Sequence, residues 1–455
     1  MKITNIYSAT VLIEDKGVKL LCDPWLVDGE YYGSWFCYPS LKNFDFSTLE
    51  DVDYIYISHI HPDHLSSLTL KKLNKNIPVI IRDFEAGKFV KNVVENLGFK
   101  TIELKDNERF NLKKDLHLTI MGAGYCNPEI CSKQFGCSLK GFISETNKDK
   151  KNNYAMSQID TLCVIDNNDK VILNVNDCPY NISKFSLDKV LEKWPHIDLL
   201  LHGYTGASAY PHCFENYTKD EILNVYGPPQ NKYYMEMGLH YINHIKPKYH
   251  MPFAGTYILG GSVGKEIESI RVYNEIDDAY NFYKKNVKIS KTIALNNNEH
   301  FNLNNSKCSK EYTPLNIDKK KEYINSISNH VYEWENDPIP TTKELKELLI
   351  KSWDRFNKKR IEYNYKTDTV IRVPFNNEVF EIHTNQSKYS FIKKHKLKNK
   401  KFISFSVKPK LLKRVLMGPR YAHWNNAEIG CHIRFNRNPD VYERGIHFCM
   451  NYFHA

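Results

Sequence analysis

The run Ser58-His59-Ile60-His61-Pro62-Asp63-His64-Leu65 constrains this chain more than any other stretch, because it sets three imidazoles and a carboxylate within six residues, directly after the apolar segment Val52–Ser58 (VDYIYIS). Crowding of that kind is costly without a cation. Neutral imidazoles and a carboxylate are the nitrogen and oxygen donors that zinc and iron accept, and an alternating H-x-H sends both rings to one side of an extended segment. His59, His61, Asp63 and His64 are therefore expected to be metal ligands at the end of a buried strand, holding one or two first-row ions.

Asp177 is the natural further carboxylate. It follows the apolar strand VILNV, at the end where α/β sheets expose functional groups, and with Asp63 it is the candidate catalytic carboxylate. Asp23, closing the strand run in LLCDPWL, is placed to hold a ligand imidazole by its ring N–H as an outer partner. His202, His212 and His250 are reserve ligand candidates, each isolated in its own segment. The loop HGYTGASAYP offers Gly203, Tyr204, Gly206 and Ser208 as substrate contacts, through backbone N–H groups able to meet an anion.

Around these residues the chain alternates strands and helices. KITNIY, TVLIED and VKLLCDP read as a meander. VDYIYIS, IPVIIRD, TIELK and LHLTIM follow, with helices from Ser66 to about Leu73 and over Ala86–Leu97. TLCVIDNNDKVILNV reads as a hairpin turning at 167–170, followed by a helix near 185–194 and the strand IDLLLHG. This order suits an α/β fold of two sheets packed face to face with helices outside, an αβ/βα sandwich. Residues 122–158, polar and carrying Cys126, Cys131 and Cys137, interrupt the pattern as an insertion bordering the site. After about residue 290 an Asn- and Lys-rich stretch marks a boundary. The expected domains are thus 1–290, metal-binding and catalytic, and 291–455, a smaller α+β accessory domain in which Thr341 and Glu344 form a capping box for a helix over 342–360.

Composition narrows the function classes. No run of 18 apolar residues is present, so no membrane span is expected, and the N-terminus reads as a strand rather than a leader; a cytoplasmic protein with reduced cysteines is the expectation. The net charge of +10 is local: residues 388–414 hold eleven Lys/Arg and no Asp/Glu, which leaves the rest near neutrality. That run reads as a solvated hairpin edge guarded by lysines, and no nucleic-acid partner follows from it.

YIYISHIHPDHLSSLTLKKL, CDPWLVDGEYYGSWF, KVILNVNDC, GYTGASAYP, MPFAGTY and the C-terminal WNNAEIGCHIRFNRNPDVY occur in the order found in the CMP-N-acetylneuraminate hydroxylase family. The chain resembles the metallo-β-lactamase-like part of that family. The resemblance implies a metallo-β-lactamase sandwich and an iron-dependent hydroxylase acting on a small anionic substrate, a nucleotide-activated sialic-acid-like sugar. The family's Rieske domain is expected to be lacking, since no C-x-H…C-x-x-H pattern is present; electrons would then come from an external donor. Ordinary dizinc hydrolases of this fold add two further histidines, where this chain reads GAGYCN and, in MPFAGT, Ala254. A metal-dependent hydrolase of phosphoester, amide or lactone bonds, with Asp63 or Asp177 orienting a metal-bound hydroxide, is the alternative. A non-catalytic metal-stabilised binding module is the second.

Overall fold

The protein is described by a computed structural model that covers residues 1–84, 88–124, 159–362, 365–397 and 401–455. The candidate insertion, with Cys126, Cys131 and Cys137, therefore lies outside the described residues apart from its first three positions.

Alternation of apolar side chains along the strands builds two sheets packed face to face. The first sheet has eight strands in the spatial order Lys307–Cys308, Glu299–Asn302, Lys2–Tyr7, Thr10–Asp15, Val18–Cys22, Tyr54–Tyr56, Val79–Arg82, Thr101–Leu104. The second has seven: Lys291–Thr292, Tyr249–Pro252, Leu199–His202, Val171–Asn174, Thr161–Asp166, Leu116–Gly122, Arg109–Lys113. Val11, Ile13, Leu20 and Cys22 of the first sheet meet Leu118, Ile120, Cys163, Ile165 and Leu201 of the second in a shared inner core. The intervening residues point outward, as the two-residue strand period requires. Leu162, Val164, Leu173 and Leu200 pack under Leu187 and Val190 of the helix Tyr180–Lys193, Ile242 of Gly227–Ile245 and Tyr283 of Ile276–Asn286. Each such fully buried aliphatic side chain contributes about 1.5–3 kcal/mol. The result is the αβ/βα sandwich of the metallo-β-lactamase fold.

Both sheets run past the boundary expected at residue 290. Lys291–Thr292 pairs in parallel with Tyr249–Pro252, and Glu299–Asn302 pairs antiparallel with Lys2–Tyr7. The polar composition there reflects short, partly exposed strands at and beside the sheet edges rather than a linker.

A five-stranded sheet follows, ordered Lys388–Lys393, Glu378–His383, Val370–Phe375, Phe402–Val407, Ile433–Asn438. The helix Thr342–Glu362 covers it with Leu345, Leu349, Trp353 and Phe356, and starts at a capping box in which Glu344 N–H donates to Thr341 Oγ1 at 3.2 Å and Thr341 N–H to Glu344 at 2.8 Å. Its core is continuous with the outer face of the first sheet, since Leu21, Ile55 and Val79 share one cluster with Leu345, Phe380 and Phe405. The basic run is not one solvated hairpin edge: Lys388–Lys393 is the edge strand, but Phe402–Val407 lies inside the sheet with Ile403 and Phe405 buried. No helix among the described residues is long and apolar enough to cross a membrane.

Candidate metal centre

Strand direction brings the site together at one edge of the sandwich. Val18–Cys22 and Tyr54–Tyr56 are parallel neighbours, so Asp23 and the His59–His64 loop leave the same end. In the other sheet Val171–Asn174 ends toward Asp177, and its antiparallel partner Thr161–Asp166 begins where that strand ends, which delivers Asp160 to the same edge. Thr161 Oγ1 donates to the Ser58 carbonyl at 2.7 Å and pairs with Tyr56 Oη at 2.8 Å, joining the two sheets beside the site.

Asp23 organises the imidazoles. It is fully buried, and its carboxylate accepts from Ser58 N–H and Ser58 Oγ at 2.7 Å each and from His64 Nδ1 at 2.8 Å. With the Ser58 hydroxyl proton committed to Asp23, the contact at 2.9 Å between Ser58 Oγ and His59 Nδ1 is donated by the imidazole. His59 and His64 thus both carry their proton on Nδ1 and turn Nε2 toward the site. His61 Nε2 lies 3.3 Å from Asn425 Oδ1. His59 Nε2 and His61 Nδ1 face each other at 2.8 Å. Ring nitrogens that close share either a proton or a cation, and with carboxylates beside them this donor set fits a metal ion.

The carboxylates complete two groupings whose donor atoms lie within 4.8 Å of one another: His59, His61 and Asp160, and His59, His64 and Asp177. Asp160 stands 3.7 Å from His59 Nε2, and Asp177 stands 3.4 Å from His64 Nε2 and 3.9 Å from His59 Nε2. Asp63 lies 3.6 Å from His64 Nε2 and accepts a short hydrogen bond from the buried Tyr31 phenol. Charge is unevenly distributed among these groups. Burial lifts the Asp160 carboxyl to about 6, with Asp177 adding to it, and burial likewise raises Asp63. Desolvation pulls Asp177 the same way, but His64, His59 and His61 outweigh it and hold that carboxyl well below the usual range. Burial, helped by His64 and His61, keeps His59 neutral, whereas Asp177, Asp23 and Asp63 overcome the burial of His64 and raise it.

The centre opens on a cleft of about 220 Å³. Tyr31 and Trp35 form one wall with Tyr257, whose ring stacks on Trp35 at 3.5 Å between centroids. Gly203 and Gly206 also line it. A Cβ on Gly206 would stand 1.9 Å from the Tyr234 ring, so only glycine allows that approach. Tyr204 and Ser208 do not line the cleft: Tyr204 is buried with its hydroxyl 3.0 Å from Thr256 Oγ1, and Ser208 Oγ accepts from Tyr210 N–H. Ala254 lines it where a further histidine was sought. None of the described lining residues is a lysine or arginine.

The reserve histidines are elsewhere. His202 and His250 sit on neighbouring parallel strands, with His202 Nε2 3.1 Å from His250 Nδ1 and Thr292 Oγ1 3.0 Å from His250 Nε2. Burial pushes His202 down to about 4 and His250 to about 2, so both are neutral core residues. His212 lies beside Cys213 and Cys431, in a separate cluster.

Three contributors escaped the sequence reading. Asp160 is a single acid at the close of a polar stretch, and only the antiparallel return of the hairpin shows where it lands. Tyr31 has no local signal. Asn425 belongs to the helix Trp424–Ile429, and His432 just beyond that helix braces Tyr31, whose carbonyl accepts from His432 Nε2 at 2.8 Å.

Residues 2–126 match the model of the β-lactamase superfamily domain. The chain is 25% identical over 260 residues to a putative Rieske 2Fe-2S iron-sulfur protein of Mycobacterium tuberculosis, an alignment covering 56% of this chain and 44% of that protein. It is 22% identical over 293 residues to the cytidine monophosphate-N-acetylneuraminic acid hydroxylase of Gorilla gorilla gorilla, covering 63% of this chain and 42% of that one. The chain thus spans less than half the length of either relative. Among solved structures it is similar to an isothiocyanate hydrolase from Delia radicum gut bacteria, with a TM-score of 0.43 and 14% identity over 66% of this chain and 99% of that one. The family match and the two-sheet architecture together identify the N-terminal part of this chain as a β-lactamase superfamily domain with the metallo-β-lactamase fold.

Proposed function

We propose that the chain is a metal-dependent hydroxylase, with iron in the His/Asp centre and a polyhydroxylated, anionic substrate of the sugar-nucleotide class. The donor count carries this reading. Each grouping combines two imidazoles with one carboxylate, and two-His-one-carboxylate sets with open positions suit non-haem iron and oxygen. When bound, iron supplies oxygen activation, whereas zinc in the same residues supplies an activated water.

The remaining work falls to the chain's own groups. Tyr31, kept protonated by burial, holds its proton at Oη against Asp63 and fixes that carboxylate. The Trp35–Tyr257 wall offers an apolar face to a sugar ring and keeps water from it. The described lining lacks cationic side chains, so a substrate's negative charge is directed to the metal. A hydroxylase and a protein described as a putative Rieske 2Fe-2S iron-sulfur protein among the relatives support oxidation chemistry. The C-terminal unit acts as an accessory that braces Tyr31 and His61.

One observation favours hydrolysis as a second reading. Asp177 is ionised at neutral pH and reaches the cleft, as a carboxylate that orients an attacking water must. Iron-loaded protein with a chemical reductant and candidate sugar nucleotides, assayed in air and under anaerobiosis, separates the two. Product heavier by one oxygen atom only in air is expected; bond cleavage at equal rate without oxygen overturns the hydroxylase reading in favour of the hydrolase.

A further inference from the structure

His212, Cys213 and Cys431 form a buried cluster outside the centre just described, with ligand atoms within 4.8 Å of one another. We propose that this Cys2His cluster is a second metal site, one that binds a thiophilic divalent cation of the zinc type and ties the loop beyond the cleft to the C-terminal sheet.

The separations fit. With Zn–S near 2.3 Å and Zn–N near 2.0–2.1 Å, tetrahedral geometry places nitrogen and sulfur ligands about 3.6 Å apart; His212 Nε2 and Cys431 Sγ are 3.4 Å apart. His212 is also poorly explained as a core residue. Its Nδ1 is buried with no hydrogen-bond partner among the described residues, and a buried imidazole normally satisfies its polar atoms. The nitrogen it does commit faces a sulfur. Cys431 adopts a left-handed backbone, φ +58°, although it is not glycine, a conformation that persists where the surroundings hold a side chain to a task.

Charge balances as well. Two thiolates neutralise a divalent ion. The nearby Arg434 guanidinium is already paired with Glu266 at 2.5 Å, and its Nη1 lies 3.6 Å from Cys213 Sγ, an outer N–H donor to a ligand sulfur. The ligands come from two parts of the fold whose backbones already meet: Phe435 N–H donates to the Cys213 carbonyl at 2.9 Å, and Glu215 N–H to the Phe435 carbonyl at 2.7 Å. The loop bearing His212 continues directly from the Gly203–Ala207 wall of the cleft.

Cobalt(II) added to reduced, metal-free full-length protein tests the site, because cobalt in a His/Asp centre gives no thiolate-to-metal charge-transfer band. The expected result is such a band at one equivalent beyond the cobalt held by the His/Asp centre. Cys213→Ser with Cys431→Ser removes the band and leaves the other cobalt bound, and His212→Gln weakens this cobalt at least tenfold. The triple change Cys126→Ser, Cys131→Ser, Cys137→Ser leaves the band intact, which keeps the assignment testable if the first pair fails to fold. A wild-type protein without the band, a band that disappears in the triple variant, or a Cys213–Cys431 disulfide in freshly isolated, zinc-free protein overturns the proposal.

Discussion

Two pairs of histidines lie within hydrogen-bond distance in this molecule and sit in different surroundings. His59 and His61 face each other at 2.8 Å in a loop, and His202 and His250 at 3.1 Å on neighbouring parallel strands. Both pairs are largely shielded from solvent. The first is ringed by Asp63, Asp160 and Asp177 and opens on a cleft; the second is enclosed by Thr292 and the Tyr283 ring, with the Gly203 carbonyl taking a ring proton. Imidazole proximity alone therefore does not mark a candidate metal site. Carboxylates beside the ring nitrogens and an opening onto a cleft set the first pair apart.

The largest effect should come from His61→Ala combined with Asp177→Ala. Metal affinity of the centre is expected to fall at least a hundredfold, since two donors go at once where loss of a mere outer partner costs about 10–100-fold. Elemental analysis alongside circular dichroism checks it, and full occupancy in a folded double variant would break the comparison. Asp160→Ala follows, with roughly tenfold weaker metal binding and a partial recovery in Asp160→Glu; isothermal titration reads both, and unchanged affinity in the alanine variant would remove Asp160 from the centre. Asp23→Asn touches no metal directly yet is expected to lower affinity about tenfold or more, because the His64 ring loses the carboxylate that holds its Nδ1 proton. An Asp23→Asn protein with wild-type affinity would show that the His64 tautomer is fixed by other contacts.

The smallest effect on the centre belongs to the other pair. His202→Phe should leave metal content unchanged and alter acid stability instead. His202 has its ordinary value of 6.5 lowered to about 4 by burial, so below pH 6.5 the unfolded chain takes up a proton that the folded one refuses. Stability thus declines as pH falls from 6.5 toward 4, by up to about 3 kcal/mol from this residue. Denaturant unfolding between those pH values should show a shallower decline in the variant, and an identical slope would mean that His202 does not titrate on unfolding.

The clustering of the first pair is legible in the sequence and the partnering of the second is not, for the same reason. Candidate donors packed into six residues advertise themselves, and the strand before them is plain from its apolar run. Single residues from distant segments are assigned by strand direction and register, which no local pattern carries: Asp160 arrives by an antiparallel return, while His250 is carried to His202 by parallel pairing. The helix Gly227–Ile245, with prolines in its first turn and a face of tyrosines and methionines, was not among the expected elements. The short strands after residue 290 read as a boundary or surface connection because strands at and beside a sheet edge are polar.

The hydrogen bond from His61 to Asn425 spans 364 residues of chain. At synthesis rates of about 5–20 residues per second, the loop bearing the histidines leaves the ribosome on the order of tens of seconds before Asn425 does. The contact that anchors His61 therefore cannot form while the candidate donors are first emerging, and the cluster reaches its described geometry only after the segment bearing the helix Trp424–Ile429 has been made.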